Sequence, residues 1–178
     1  MRQKAVPENI IRHSYTVRAA AVILSQALIS AGYRMDMGLV DRAALLHDIC
    51  KADSLREGGD HALMGRDLIK GYGYEKIGDI IGQHIWLRSM NIDEAMVVNY
   101  ADKRVMHDRV VSLEKRFLDL MVRYGKNERS MERILGHFAH ASVIEQSIFQ
   151  ACGQDLCRLE NLNLIPGDHS LYGGDSLL

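Results

Sequence analysis

The sequence predicts an all-α protein. Its two prolines, Pro7 and Pro166, lie near the two ends of the 178-residue chain, so no proline interrupts the long segment between them. Within that segment apolar residues recur at spacings of three and four, the period of an amphipathic helix, and strand-like alternation is scarce. Together these observations favour a bundle of about six to eight helices.

Cap and stop residues divide this segment into individual helices. The first helix is expected over residues 9–31, with Gly32 as its stop. Asp36 is a suitable cap for a second helix that ends near Leu46. Further helices are predicted at about residues 60–70, 77–85, 93–106, 110–124 and 128–150.

One domain accounts for most of the chain. We expect a helical domain over residues 1–159 and an extended tail over residues 160–178, where glycines, a proline and polar residues follow the last helix. Hydrophobic residues make up 47% and charged residues 25%, which suits a sizeable core and an ordinary surface. The net charge of -1 predicts no general binding of nucleic acid, although it leaves room for a local basic patch.

Several features favour a cytoplasmic protein with no membrane partner. No apolar run approaches the roughly 18 residues that cross a bilayer. Residues 1–7 lack the apolar core of a signal peptide. The cysteines, at positions 50, 152 and 157, are odd in number and form no Cys-x-x-Cys pair, so neither a disulfide framework nor a zinc–thiolate site is expected.

The most informative motif is the doublet His47-Asp48 at the end of an apolar stretch. Four further residues of ligand type surround it along the chain, namely His13, His61, His84 and Asp102. Most members of this set occur three or four residues from aliphatic residues of the same predicted helix, so they face inward. These inward residues are His13, His47, His84 and Asp102.

Inward carboxylates and imidazoles predict a metal centre. Burying an ionised carboxylate costs several kcal/mol unless a cation or good donors compensate it. Imidazoles mixed with carboxylates suit Mn²⁺, Fe²⁺, Co²⁺, Mg²⁺ or Ni²⁺ better than a thiolate site does. One ion would be held by His13, the doublet and Asp102. If a second ion binds, His61 and His84 would hold it, with Asp48 bridging the two.

This pattern resembles the HD-domain metal-dependent phosphohydrolase superfamily. The resemblance covers about residues 9–125 and depends on the order of His13, the doublet His47-Asp48 and Asp102, because a doublet alone is common and recurs here as His107-Asp108. His61 and His84 are similar to the extra histidines of binuclear members, which include bacterial hydrolases of diadenosine tetraphosphate. The resemblance implies a helical bundle around the metal and hydrolysis of a phosphoester or phosphoanhydride, commonly in a nucleotide.

The resemblance also suggests roles for individual residues. Asp48 is expected to be a metal ligand that helps orient the attacking water, and Lys51 is the first candidate to neutralise charge on the phosphoryl oxygens. Weaker candidates for contact with the substrate are Lys103, Arg104 and Arg109. The expected substrate is a small phosphorylated molecule, such as a nucleotide or dinucleotide.

Two other functions remain open at the level of sequence. The chain could be a non-catalytic module of the same fold that senses a nucleotide or binds a partner, or a nucleotide-binding scaffold with a structural metal. His137 and His140 are interpreted as surface histidines and Trp86 as a packing residue. The sequence does not predict an oligomeric state.

Overall fold

The computed structural model describes residues 6–153 and Leu159. The predicted tail over residues 160–178 lies outside the described residues. The elements, in chain order, are α1 (Glu8–Ser30), α2 (Met37–Leu46), α3 (Lys51–Glu57), α4 (His61–Gly71), α5 (Glu75–Ile81), α6 (Glu94–Lys103), β1 (Val105–Met106), β2 (Arg109–Val110), α7 (Leu113–Tyr124) and α8 (Glu128–Cys152). The all-α fold is therefore confirmed.

Side-chain caps begin most of the longer helices. Asp36 accepts a hydrogen bond from the Leu39 N–H at 3.1 Å, as its position before α2 predicts. Asp60 caps α4 and Asp93 caps α6 in the same way. These caps satisfy N–H groups that have no partner inside the helix.

The core forms around α1, which packs against α2, α6 and α8. On α1 the core face includes Val17, Leu24 and Leu28, all fully buried. The facing residues of α2 and α6 are equally buried, and they include Ala43 and Val97. Within residues 6–153, no helix is both long and apolar enough to cross a membrane.

Several helices differ from the sequence predictions, and one of them is α5, which ends at Ile81 instead of residue 85. Helix α3 was not expected, and none of its residues is buried, so it carries no apolar stripe that a periodicity analysis could detect. Helix α6 ends at Lys103, short of the expected end at residue 106, because Val105 and Val110 pair in a β-hairpin. The start of α7 moves to Leu113 for the same reason.

The second His-Asp doublet forms the turn of this hairpin. His107 adopts a left-handed backbone conformation with φ of 58°. Asp108 adjoins it in the turn, and the Asp108 carbonyl accepts a hydrogen bond from the Thr16 hydroxyl on α1 at 3.2 Å. The hairpin is thus held against α1 next to His13.

Candidate metal centre

Five segments of the fold converge on one site, and each supplies a ligand-type side chain near an end of a helix or on α1. His13 lies on α1, His47 directly follows α2, and Asp48 comes next in the turn before α3. His61 begins α4, His84 follows α5 within a turn, and Asp102 lies in the last turn of α6. The structure therefore brings all six predicted metal ligands together.

The first of two ligand clusters contains His13, His47 and Asp102, whose ligand atoms all lie within 4.8 Å of one another. The Nε2 atom of His13 lies 3.1 Å from Asp102 Oδ1. The Nε2 atom of His47 lies 3.5 Å from the same oxygen. Two imidazoles and a carboxylate therefore face a common point.

The second cluster contains Asp48, His61 and His84, again within 4.8 Å of one another. The Nε2 atoms of the two histidines are 3.2 Å apart. The Oδ1 atom of Asp48 lies 3.2 Å from His61 Nε2 and 3.6 Å from His84 Nε2.

Asp48 joins the two clusters. Its Oδ1 atom faces the second cluster, whereas its Oδ2 atom lies 3.5 Å from His47 Nε2 and 3.8 Å from His13 Nε2 in the first. A carboxylate with one oxygen directed at each group of imidazoles has the arrangement that a bridging ligand requires.

Backbone carbonyls orient three of the histidines. The Nδ1–H groups of His13, His47 and His84 donate to the carbonyls of His107, Ala44 and Ile81 at 2.8, 2.7 and 2.8 Å respectively. Because a carbonyl only accepts, Nδ1 carries a hydrogen in each ring, and Nε2 is the nitrogen directed into the site. This support of the distal nitrogen is typical of metal-ligating histidines.

The site fits a cation. With hydrogen on Nδ1, His13 Nε2 faces Asp102 Oδ1 at 3.1 Å, an arrangement that a cation shared by the two atoms would stabilise. Among the described residues, His47 Nε2 and Asp48 Oδ1 are buried without a hydrogen-bond partner. Buried polar atoms of this kind are normally paired or bound to a metal.

Even without a metal ion, the two buried carboxylates stabilise positive charge on the groups around them. Burial lowers the pKa of His47, but the Asp48 and Asp102 carboxylates outweigh burial and raise that pKa to about 10. Burial opposes ionisation of the two carboxyl groups, yet His47 beside Asp48, and Lys103 beside Asp102, hold both pKa values well below their usual range. Burial lowers the pKa of His84, which favours the neutral, ligating ring.

Two lysines contact the acidic ligands. Lys51 Nζ lies 2.6 Å from Asp48 Oδ2, and the lysine is partly exposed to the cleft. Lys103 is more deeply buried, and its Nζ donates to the His84 carbonyl at 2.7 Å and to Asp102 Oδ2 at 3.1 Å. Lys103 therefore connects one ligand of each cluster, a role that the sequence did not predict.

Two of the predicted substrate contacts lie elsewhere. Arg104 is 2% exposed, and its guanidinium donates to the Val111 carbonyl and to the Tyr100 hydroxyl, so it supports the packing of α6 and the hairpin. Arg109 is exposed on β2 and is not among the residues that line the cleft. The expectation of substrate contact is corrected for Arg104, since a burial this complete leaves no surface for a ligand.

A cleft opens above the clusters. It consists of two adjoining cavities of about 750 and 640 Å³, the first reaching His13 and Asp48 and the second reaching His84 and Asp102. The residues common to both cavities are Lys51, His61, Arg116, Leu120, Tyr124 and Arg133. Both ligand clusters are thus accessible from one continuous space.

The part of this cleft that α7 and α8 supply was not predicted from the sequence. Arg116, Leu120 and Tyr124 recur every four residues and so share one face of α7. That spacing was the available signal, but a charged residue on such a face is usually solvated. Trp86 lies nearby, half exposed, and stacks on His140 with ring centroids 4.3 Å apart.

Comparisons with known proteins agree with the geometry. The family model of the HD domain matches residues 10–106, more than half of the 178-residue chain. An uncharacterized protein of Methanocaldococcus jannaschii is 27% identical over 146 residues, covering 72% of this chain and 85% of that protein. No solved structure matches the chain.

Partial matches link the chain to larger proteins. Ribonuclease Y of Desulfotalea psychrophila is 38% identical over 78 residues, which cover 43% of this chain and 14% of that protein. Ribonuclease Y of Clostridium perfringens is 32% identical over 96 residues, which cover 53% and 18% of the two chains. The aligned segment is therefore a small part of each ribonuclease.

Proposed function

This chain belongs to the HD domain family, and on that premise we propose that it is a metal-dependent phosphohydrolase. It would cleave a phosphoester or phosphoanhydride bond in a small phosphorylated molecule, such as a nucleotide or dinucleotide. The observation that carries the proposal is the position of Asp48, with Oδ1 directed at one set of imidazoles and Oδ2 at another.

The arrangement supports a site for two divalent ions. His13, His47 and Asp102 would hold the first ion, and His61 and His84 the second, with Asp48 shared between them. Such ligand sets suit Mn²⁺, Fe²⁺, Co²⁺, Mg²⁺ or Ni²⁺. When bound, the ions would supply positive charge for a phosphoryl oxygen and make water a stronger nucleophile near neutral pH.

The side chains around the clusters have separate tasks in this proposal. Asp48 orients the attacking water through its carboxylate. Lys51 lies against Asp48 Oδ2 and lines both cavities, so its ammonium group is placed to stabilise negative charge that develops on the phosphoryl oxygens. Lys103 also lines the second cavity, but its Nζ already donates to the His84 carbonyl and to Asp102, so its main task in this proposal is to support these two residues.

The cleft supports a substrate larger than a phosphate ion. Cavities of about 750 and 640 Å³ fall within the roughly 300–1,000 Å³ usual for small-molecule sites. The relatives named Ribonuclease Y add short oligoribonucleotides as a second candidate class of substrate. The alternative of a non-catalytic sensing module is disfavoured, because a site that had lost catalysis would be expected to have lost ligands.

The test combines metal analysis with a substrate screen. Protein purified without chelator is analysed for bound metal and assayed with nucleotides, dinucleotides and short oligoribonucleotides in each of the five divalent ions. We expect two metal equivalents and hydrolysis of at least one compound. Asp48→Asn should lose metal and at least about 100-fold in activity. Asp67→Asn, at an exposed carboxylate paired with Arg66, is the matched control and should lose neither.

Two results would count against the proposal. Tight metal binding with no hydrolysis of any compound would favour the sensing module. Unfolding on chelation, again without hydrolysis, would favour a scaffold with a structural metal.

A further inference from the structure

The lining of the cleft includes cationic side chains that do not contact the predicted metal ligands, besides the aspartates of the site. Besides Lys51, which lies against Asp48, two arginines line both cavities, Arg116 from α7 and Arg133 from α8. Cations that face one space repel each other, and an anion bound in that space would relieve the repulsion.

The guanidinium group of Arg116 has N–H donors that are not fully used within the described part of the protein. Its side chain is 13% exposed, and its Nε atom is buried without a hydrogen-bond partner among the described residues. Its ion pair with Asp119 is long, at 3.5 Å, and the same carboxylate oxygen accepts from Arg123 at 2.5 Å. Asp119 is therefore committed mainly to Arg123, and Arg116 has donors left for another anion.

Arg133 complements Arg116 from the adjoining helix. It is exposed, it lines both cavities, and α7 and α8 pack directly against each other. Guanidinium groups bind phosphate oxygens through paired, charge-assisted hydrogen bonds, which makes arginine better suited than lysine to hold a phosphate in one orientation.

We propose that Arg116 and Arg133 form a second phosphate subsite, which binds a phosphate of the substrate other than the one being hydrolysed. This inference depends on the proposed function and deepens it. The substrate would be a small molecule with at least two phosphates, either along a polyphosphate chain or on adjacent nucleotides. Simple monophosphates would be poor substrates, because they leave the subsite unused.

Kinetics with matched substrates test the subsite. The wild type and Arg116→Gln are assayed with a dinucleoside tetraphosphate, with a 5′-phosphorylated dinucleotide, and with bis(4-nitrophenyl) phosphate, which has one phosphate. We expect Arg116→Gln to lower the ratio of kcat/KM for a two-phosphate substrate to kcat/KM for the single-phosphate substrate by about 10- to 100-fold. The substrate whose ratio falls more identifies the source of the second phosphate.

Two further variants separate binding from folding. Arg133→Gln changes an exposed residue that is not required for the core, and we expect it to lower the same ratio in the same direction. Arg129→Gln, one turn earlier on α8 and outside the lining of both cavities, is the matched control and should leave the ratio unchanged. Equal losses on all substrates in Arg116→Gln and Arg133→Gln would overturn the subsite.

A binding measurement keeps this inference distinct from the proposed function. Calorimetry of Mn²⁺-loaded protein with inorganic tripolyphosphate and with orthophosphate needs no turnover. Wild type should prefer tripolyphosphate, and Arg116→Gln should lose about tenfold or more of that preference. If neither arginine affects the preference, the subsite is wrong even where hydrolysis is observed. If the preference depends on both arginines but no compound is hydrolysed, the subsite stands and the proposed catalysis fails.

Discussion

Replacing Lys103 with methionine should weaken the second metal cluster more than the first. Lys103 Nζ donates to the His84 carbonyl at 2.7 Å and to Asp102 Oδ2 at 3.1 Å. Asp102 presents its other oxygen, Oδ1, to His13 and His47, so the first cluster keeps its ligand atoms. The turn that carries His84 loses a direct hydrogen bond to α6.

The expected magnitude follows from these two contacts. A hydrogen bond with a charged partner contributes about 1.5–3 kcal/mol, and methionine preserves most of the apolar packing of the lysine stem. Relief from burying a charge offsets part of the loss, so Lys103→Met should lower the free energy of unfolding by about 2–4 kcal/mol. Because small proteins have about 5–15 kcal/mol in total, the variant should still fold.

Urea denaturation of the metal-free protein measures the stability change, and calorimetric titration with Mn²⁺ measures both sites. The second site should lose about 10- to 100-fold in affinity, the range found when a group that supports a ligand is removed. Lys76→Met, at an exposed position on α5, is the control and should change neither quantity by a measurable amount. A Lys103→Met protein with two unaltered metal affinities would refute the argument that α6 positions His84.

Three further predictions concern stability and pH. Arg104→Met should lower the free energy of unfolding by about 3–5 kcal/mol, because it leaves buried partners without a donor, while KM in any assay that detects turnover stays within about twofold. In the metal-free fold the pKa of His47 is raised from 6.5 to about 10. Protonation of His47 therefore stabilises this fold fully below pH 6.5, and the stabilisation is lost as the pH rises towards 10. Bound metal must displace this proton, so the difference in Tm between Mn²⁺-loaded and chelated protein should grow from about pH 6 to about pH 8.5 in scanning fluorimetry, and a difference that shrinks would contradict the assignment. Gly78→Ala should cost about 1–3 kcal/mol in urea denaturation, since a Cβ there would lie 2.9 Å from the Arg66 carbonyl oxygen, whereas Gly136→Ala on α8 meets nothing within 4 Å and should stabilise by up to about 1 kcal/mol.

The sequence could predict which polar residues meet at the site because burial of polar residues leaves a periodic signal. His13 and Asp102 occupy positions where a helix in this fold otherwise carries an aliphatic residue, and such substitutions are costly unless something binds them. The same logic cannot detect Arg116, because an arginine beside a core face is ordinary in sequence and becomes informative only when α8 brings Arg133 near it. Helix α3 was not predicted for a similar reason: it has no buried residue, and so its sequence has no apolar periodicity.

Helix ends explain why the imidazoles are so well oriented. The carbonyls in the last turn of a helix have no following helical N–H to accept, and they remain available to side chains. His47 donates from Nδ1 to Ala44 in the last turn of α2, and His84 does the same to Ile81 at the end of α5, each reaching back three residues. The two helices therefore end where a carbonyl of the last turn can accept from a ring that follows the helix, and the Ile81 carbonyl accepts from the His84 backbone N–H as well. A site built this way needs few additional residues to orient its ligands, because the backbone supplies the supporting acceptors, and Lys103 is left to connect the two clusters from α6.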